Sequence, residues 1–184
     1  AKLNEKVDKV FFTFFTKDNV TLFWDNYLRR LRIIDKSTTV IYCTDKHHIF
    51  HASCAKLFYP DANYYLVWDR EGVTTKQDET EQETLYNNKL IKIYEQRRLE
   101  NKSVILFKAL ELLHFKKGDT ICLTGGVTQN VVNNSNLKNT LKNLNIVADP
   151  FNGDFGISLG AAAYYEDLHN VYRPIKNIYT GLTT

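Results

Sequence analysis

The chain has 184 residues, 43% of them hydrophobic and 13% aromatic, with a net charge of +3 and a pI near 8.6. That length and apolar content support a domain with a true core and exclude a disordered chain, and the charge is too small to argue for nucleic-acid binding. No apolar run approaches the roughly 20 residues of a membrane span, so no membrane partner is expected.

The elements follow in chain order. "KVFFTFF" (Lys9 to Phe15) reads as a strand, and it is too short for a signal-peptide core. "NVTLFWDNYLRRLRIID" reads as a helix with Leu22, Phe23, Tyr27, Leu28 and Leu31 on one stripe. Thr38 to Thr44 is a β-branched run and predicts a strand. Asp45 then suits an N-cap, and Ile49, Ala52, Ala55 and Phe58 suit the buried face of a helix that ends before Pro60. Tyr64 to Asp69 predicts a short strand, and "REGVTTKQDETEQE" a polar loop. From Glu83 to Phe115 the pattern predicts helix in two pieces, broken near Asn101. Asp119 to Thr124 is a strand, Gly125 and Gly126 a turn, and Val127 to Asn145 largely helix. "NIVADP" is a strand, "NGDFG" a glycine turn, and "ISLGAAAYYEDLH" a helix rich in small residues. Strands that alternate with helices argue an α/β fold.

Three constellations carry chemistry. The strand–Gly125-Gly126–helix unit lets a phosphate approach main chain that has no Cβ, with a helix N-terminus behind it; Asn130 then offers hydrogen bonds to a ligand. The plain alternative is a tight turn that needs glycine for backbone reasons alone. In "NGDFGISLGAAA", Gly153 and Gly156 flank Asp154, a carboxylate for a metal or a simple N-cap. "HHIFH" holds three of the five histidines. On a helix His47 and His51 share one face, and two imidazoles at that spacing plus Asp69 or Asp154 make a mixed nitrogen–oxygen metal site. His48 points elsewhere, and Cys54, three residues past His51, is a weaker candidate for a Cys–His pair than for core. Cys43, Cys54 and Cys122 lie far apart in apolar surroundings and read as reduced thiols, which points to a cytoplasmic setting.

These segments are similar, in order, to a known family. "HHIFHASCAKLFYPDANYYLVWD" resembles the "HHxxHAASAFYxSxxxxALVLxxDG" segment of O-carbamoyltransferases of the nodulation-factor and antibiotic-tailoring type. "ICLTGGVTQNVVNN" resembles their "LCLxGGVALNxxxN", and "DPFNGDFGISLGAAAYY" their "xPxxGDxGxxLGAAxY". The same core occurs in the tRNA threonylcarbamoyl-transferase family. The resemblance covers roughly Val40 to Asp69 and Leu99 to Tyr165 and implies an actin-like fold built of RNase-H-like halves.

What it implies for function is concrete. A carbamoyl group passes from carbamoyl adenylate, made from carbamoyl phosphate and ATP with Mg, to a substrate hydroxyl at a metal site. His47, His51, Asp69 and Asp154 would hold Fe(II), with Zn or Mn as substitutes. Asp69, Gly125, Gly126, Val127, Asn130, Gly153 and Gly156 would line the nucleotide cleft, and His48 is the candidate base. The expected partners are an acceptor with a hydroxyl (a small molecule, nucleotide or sugar), an adenylate-forming domain or subunit, and a second copy in a homodimer. Two departures modify this. The family's long segment after the "DG" strand is shortened here around residues 70–98, within one core spanning 1–184, and no adenylate-forming domain is evident after Tyr165. With no methionine in the sequence, the chain reads as a trimmed or incomplete member. The alternatives are an inactive nucleotide-binding or regulatory module of the same fold, a tRNA threonylcarbamoyl transferase-like protein, or a phosphotransferase, which has no need of "HHxxH".

Overall fold

Short runs of Val, Ile, Phe and Tyr favour extended backbone, and two of them open the fold. In this computed structural model β1 (Lys9–Phe12) and β2 (Thr39–Tyr42) lie parallel, in register from Lys9↔Thr39 to Phe12↔Tyr42, with α1 (Asn19–Arg30) in the connection. The structure describes residues 7–13, 19–43, 46–71, 80–99, 115–171 and 173–175, in two compact units, Ala1–His47 and His48–Thr184. Asp45, Phe14, Phe15 and Thr44, parts of the expected cap and strands, lie outside the described residues. Of the expected apolar stripe, Phe23, Tyr27 and Leu31 are exposed and Leu28 is half-buried, and the rings of Phe23, Trp24 and Tyr27 pack on one another.

The division falls one residue into α2 (His47–Phe58), so His47 belongs to that helix by its backbone. Beyond it, β3 (Tyr64–Glu71) is the middle strand of a five-stranded sheet. It pairs antiparallel with β4 (Thr80–Asn87), which pairs antiparallel with β5 (Lys92–Leu99). On its other side β3 pairs parallel with β6 (Thr120–Thr124), which pairs parallel with β7 (Asn145–Ala148). The order β5-β4-β3-β6-β7 is that of an RNase-H-like half of the actin-like fold, in agreement with the α/β architecture expected from sequence.

Both faces of β3 are covered, which explains why Tyr65 to Trp68 are all buried. One face packs Leu66, Trp68, Leu85, Ile121 and Leu123 against Leu137 of α3 (Val131–Thr140) and Leu141. The other packs Tyr65, Val67, Tyr86 and Cys122 against Ala52 and Ala55 of α2, with Tyr164 of α4 (Ile157–Leu168) at the margin.

The helix expected from Glu83 onward is corrected: residues 83–99 belong to the β4–β5 hairpin. Glu, Gln, Lys and Arg favour helix only weakly, and pairing with a buried central strand overrides them. The turn is specified locally. The Asn87 carboxamide oxygen accepts from the N–H groups of Lys89 and Ile91, and Leu90 takes a positive φ of 58°. The remainder of that expected helix, 100–114, lies outside the described residues. The helix expected over Val127–Asn145 is also shorter: a 3-10 turn, Gly126–Gln129, precedes α3.

The small residues of "ISLGAAA" allow α4 to meet α2 backbone to backbone. A Cβ on Gly160 would lie 1.9 Å from the Phe50 carbonyl oxygen. Gly160→Ala should therefore destabilise the fold by about 1–3 kcal/mol, as overpacking does. Gly118→Ala is the control, since nothing lies within 4 Å of its Cβ position and its φ of +89° alone costs about 1 kcal/mol. Denaturant midpoints measure both. An equal or smaller loss for Gly160→Ala would contradict the close α2–α4 approach.

Candidate metal centre

Side chains alternate along a strand, so Tyr65 and Val67, which face α2, put Asp69 on that face as well. The same alternation carries Cys122 to Thr124 on β6, and Val147 to Asp149 just past β7. All three parallel strands thus end on the α2 side in a polar residue, at their carboxyl ends, where open α/β sheets bind ligands. Asp69, Thr124 and Asp149 are all buried.

Into this place α2 brings His47 and His51, four residues apart and therefore on one helix face. The 3-10 turn Asp154–Gly156, just before α4, brings Asp154. One donor atom from each of His47, His51, Asp69 and Asp154 lies within 4.8 Å of the others. His51 Nε2 stands 3.5 Å from Asp69 Oδ2 and 3.6 Å from Asp154 Oδ1. His47, His51 and Asp69 are buried, while the side chain of Asp154 is 67% exposed. Burial pulls the pKa of His51 down, but the nearby carboxylates of Asp154 and Asp69 outweigh it and raise the value to about 8. Asp69 is also oriented from behind, because its Oδ1 accepts the Gly126 N–H at 3.0 Å.

The other expected residues fall in distinct places. His48 turns away from the four, with Nδ1 2.6 Å from the Thr84 hydroxyl on β4. Gly125 has φ +95°, and a Cβ there would lie 2.4 Å from the Trp68 carbonyl oxygen, so backbone geometry alone requires glycine. The Gly126 N–H is used by Asp69. Val127 packs against the core face that holds Leu66 and Leu123. Asn130 is the N-cap of α3, its side chain accepting from Val132 and Asn133 N–H at 3.0 and 3.3 Å. Gly153 lies against the Gln129 side chain, and Gly156 beneath the Phe151 carbonyl and beside Cys54. Asp154 does not cap α4, whose N-cap is Gly156.

Sequence reasoning missed Asp149, which it read only as the end of a strand. Its Oδ2 accepts from the Thr124 hydroxyl at 3.0 Å and its Oδ1 from the Phe151 N–H at 2.9 Å. Burial pushes its pKa up; those hydrogen bonds and the charge of His51 oppose the rise. Burial first, then Asp149, push the Cys54 thiol far up, which removes it as a nucleophile and with it the Cys–His pair. The signal that was available is an acid directly after a β-branched parallel strand and before proline.

The sequence model of the carbamoyltransferase N-terminus family matches residues 66–163. A search of the curated proteins gave no match. Among solved structures the chain is similar to the activator of the 2-hydroxyisocaproyl-CoA dehydratase from Clostridium difficile with bound ADPNP, at 9% identity over 81% of this chain and 75% of that chain, with a TM-score of 0.41. It is also similar to a PilM–PilN type IV pilus biogenesis complex, at 14% identity over 80% of this chain and 57% of that chain, with a TM-score of 0.39. The family match spans more than half of the sequence and includes Asp69, the Gly125-Gly126 turn and Asp154, and on that ground the chain belongs to the carbamoyltransferase N-terminus family.

Proposed function

We propose that this domain transfers a carbamoyl group from carbamoyl adenylate to a substrate hydroxyl at a divalent metal held by His47, His51, Asp69 and Asp154. The observation that carries the reading is the convergence of those four donors within 4.8 Å, inside the carboxyl ends of the parallel strands. Two imidazole nitrogens and two carboxylates form a set that suits Fe(II) first, with Zn(II) or Mn(II) as substitutes. With their donor atoms all within 4.8 Å of one another, these four residues would hold such an ion. When bound, the ion supplies a Lewis acid for the developing negative charge on the carbamoyl oxygen.

The chain's own residues have separable tasks. Asp69 cannot swing, because Gly126 holds one of its oxygens while the other faces His51. This hydrogen bond joins the metal centre to the glycine turn that would receive the nucleotide, so adenylate and metal are registered through one peptide. His48, fixed at Nδ1 by Thr84, would take the acceptor's proton at Nε2. ATP with Mg and an adenylate-forming domain or subunit would supply the activated carbamoyl group, and a hydroxyl on a small molecule, nucleotide or sugar would accept it.

Metal content after purification without chelator tests the centre. Wild type should hold one equivalent of Fe(II) or Zn(II). Since losing a residue that merely supports a ligand costs 10–100-fold in affinity, His51→Ala, Asp69→Ala and Asp154→Ala should each lose roughly a hundredfold or more. His48→Ala should retain its metal. Equal metal in all variants, or none in wild type after reconstitution, would return the cluster to ordinary packing.

The proton on His51 gives two opposite pH trends. In the metal-free chain its pKa rises from 6.5 to about 8 on folding. Its contribution, about 2 kcal/mol, is complete below pH 6.5 and disappears as pH climbs through 8, so unfolding midpoints should fall between pH 6 and 9. A metal must displace the same proton, so Zn(II) affinity should rise about tenfold per pH unit below 8 and level off above it. Calorimetry across that range checks both, and a metal affinity flat from pH 6 to 8 would exclude His51 as a ligand.

A further inference from the structure

We propose that Asp149 is the positioning residue that fixes the Asp154 turn against α2, an inference that rests on the metal centre proposed above. Its carboxylate joins the end of β6 to the turn that carries Asp154. The Thr124 hydroxyl stands at the end of β6, directly before the Gly125-Gly126 turn whose amide orients Asp69. The Phe151 N–H opens the turn that ends at Asp154. One buried side chain therefore ties the Asp154 turn to the strand end beside the amide that orients Asp69. It is itself anchored, because its N–H donates to the Leu123 carbonyl at 2.8 Å.

The turn beyond Asp149 is built to transmit this hold. Phe151 stacks on Phe58 of α2 at 5.3 Å and meets the edge of Phe155 at 5.9 Å. A Cβ on Gly156 would lie 2.2 Å from the Phe151 carbonyl oxygen, so the two ends of the turn touch with no slack. Asp154 lies within that loop with its side chain largely in solvent. Its place 3.6 Å from His51 depends on the turn, and the turn is pinned at its start by Asp149. The role is geometric: an Asn at 149 keeps an oxygen for the Phe151 N–H and a polar partner for Thr124, whereas an Ala keeps neither.

Cobalt(II) titration followed by visible absorption, with Asp149→Asn, Asp149→Ala, Asp154→Ala and the double alanine variant, tests the role. Folding of each is checked by circular dichroism at the titration temperature. Asp149→Ala should weaken cobalt binding about 10–100-fold and alter the absorption bands, as loss of a supporting partner does. Asp149→Asn should stay within a few-fold of wild type. In the Asp154→Ala background, Asp149→Ala should add less than about twofold, because it acts through Asp154. In the metal-free proteins, hydrogen exchange over residues 151–156 should quicken in Asp149→Ala and not in Asp149→Asn. Equal weakening by Asn and Ala, additive losses in the double variant, or exchange that quickens across the whole sheet would each overturn the role. Failure of wild type to bind cobalt would overturn the metal reading itself, while strong wild-type binding that Asp149→Ala leaves unchanged would overturn the role of Asp149 alone.

Discussion

The backbone contact between Gly160 and Phe50 sets the scale of everything around it. Helices that pack through ordinary side chains stand 8–10 Å apart. Here a missing Cβ lets α4 rest directly on the Phe50 carbonyl of α2. His51 follows Phe50, and Asp154 lies six residues before Gly160, one turn ahead of α4. A side chain at 160 would separate the two helices by an ångström or more, and the 3.6 Å approach of Asp154 to His51 would open by a similar amount. The run of small residues in α4 is thus a packing feature with a consequence for the site.

The second constraint is charge. Two carboxylates face one buried imidazole nitrogen, and a third, Asp149, acts on the same ring from farther away. A single proton on His51 Nε2 bonds well to only one of them at a time. Leaving acids of like charge close together in a weakly solvated place is unfavourable, and a divalent ion answers all of them at once. The raised pKa of His51 is the metal-free protein's partial answer to the same imbalance. Asp69, held by the Gly126 amide, keeps its charge directed at that point even without a ligand.

Much of this was legible in the sequence, and the parts that were not share a cause. The i, i+4 spacing of His47 and His51, the strand ending in Asp69 and the glycine-flanked Asp154 are local signals, and the structure brings all four together. The glycines were harder to read. Gly125 is fixed by the Trp68 carbonyl and Gly126 by Asp69, and both contacts reach across more than fifty residues. The β4–β5 hairpin was misread because its Glu, Gln and Lys residues suit helices on their own, and only pairing with β3 makes them strand. Asp149 was missed for the same reason: its Thr124 partner lies far away in sequence.

Exposure divides the four donors unequally, and the division gives the site a direction. His47, His51 and Asp69 are buried. Asp154 is the solvent-facing member, with the exposed ring of Phe155 beside it. Asp154 stands on the exposed 150–156 turn, whose start is held by the Asp149 carboxylate through the Phe151 N–H. Three donors are sheltered from water, where electrostatic attraction acts most strongly, and the fourth leaves the group open on one side.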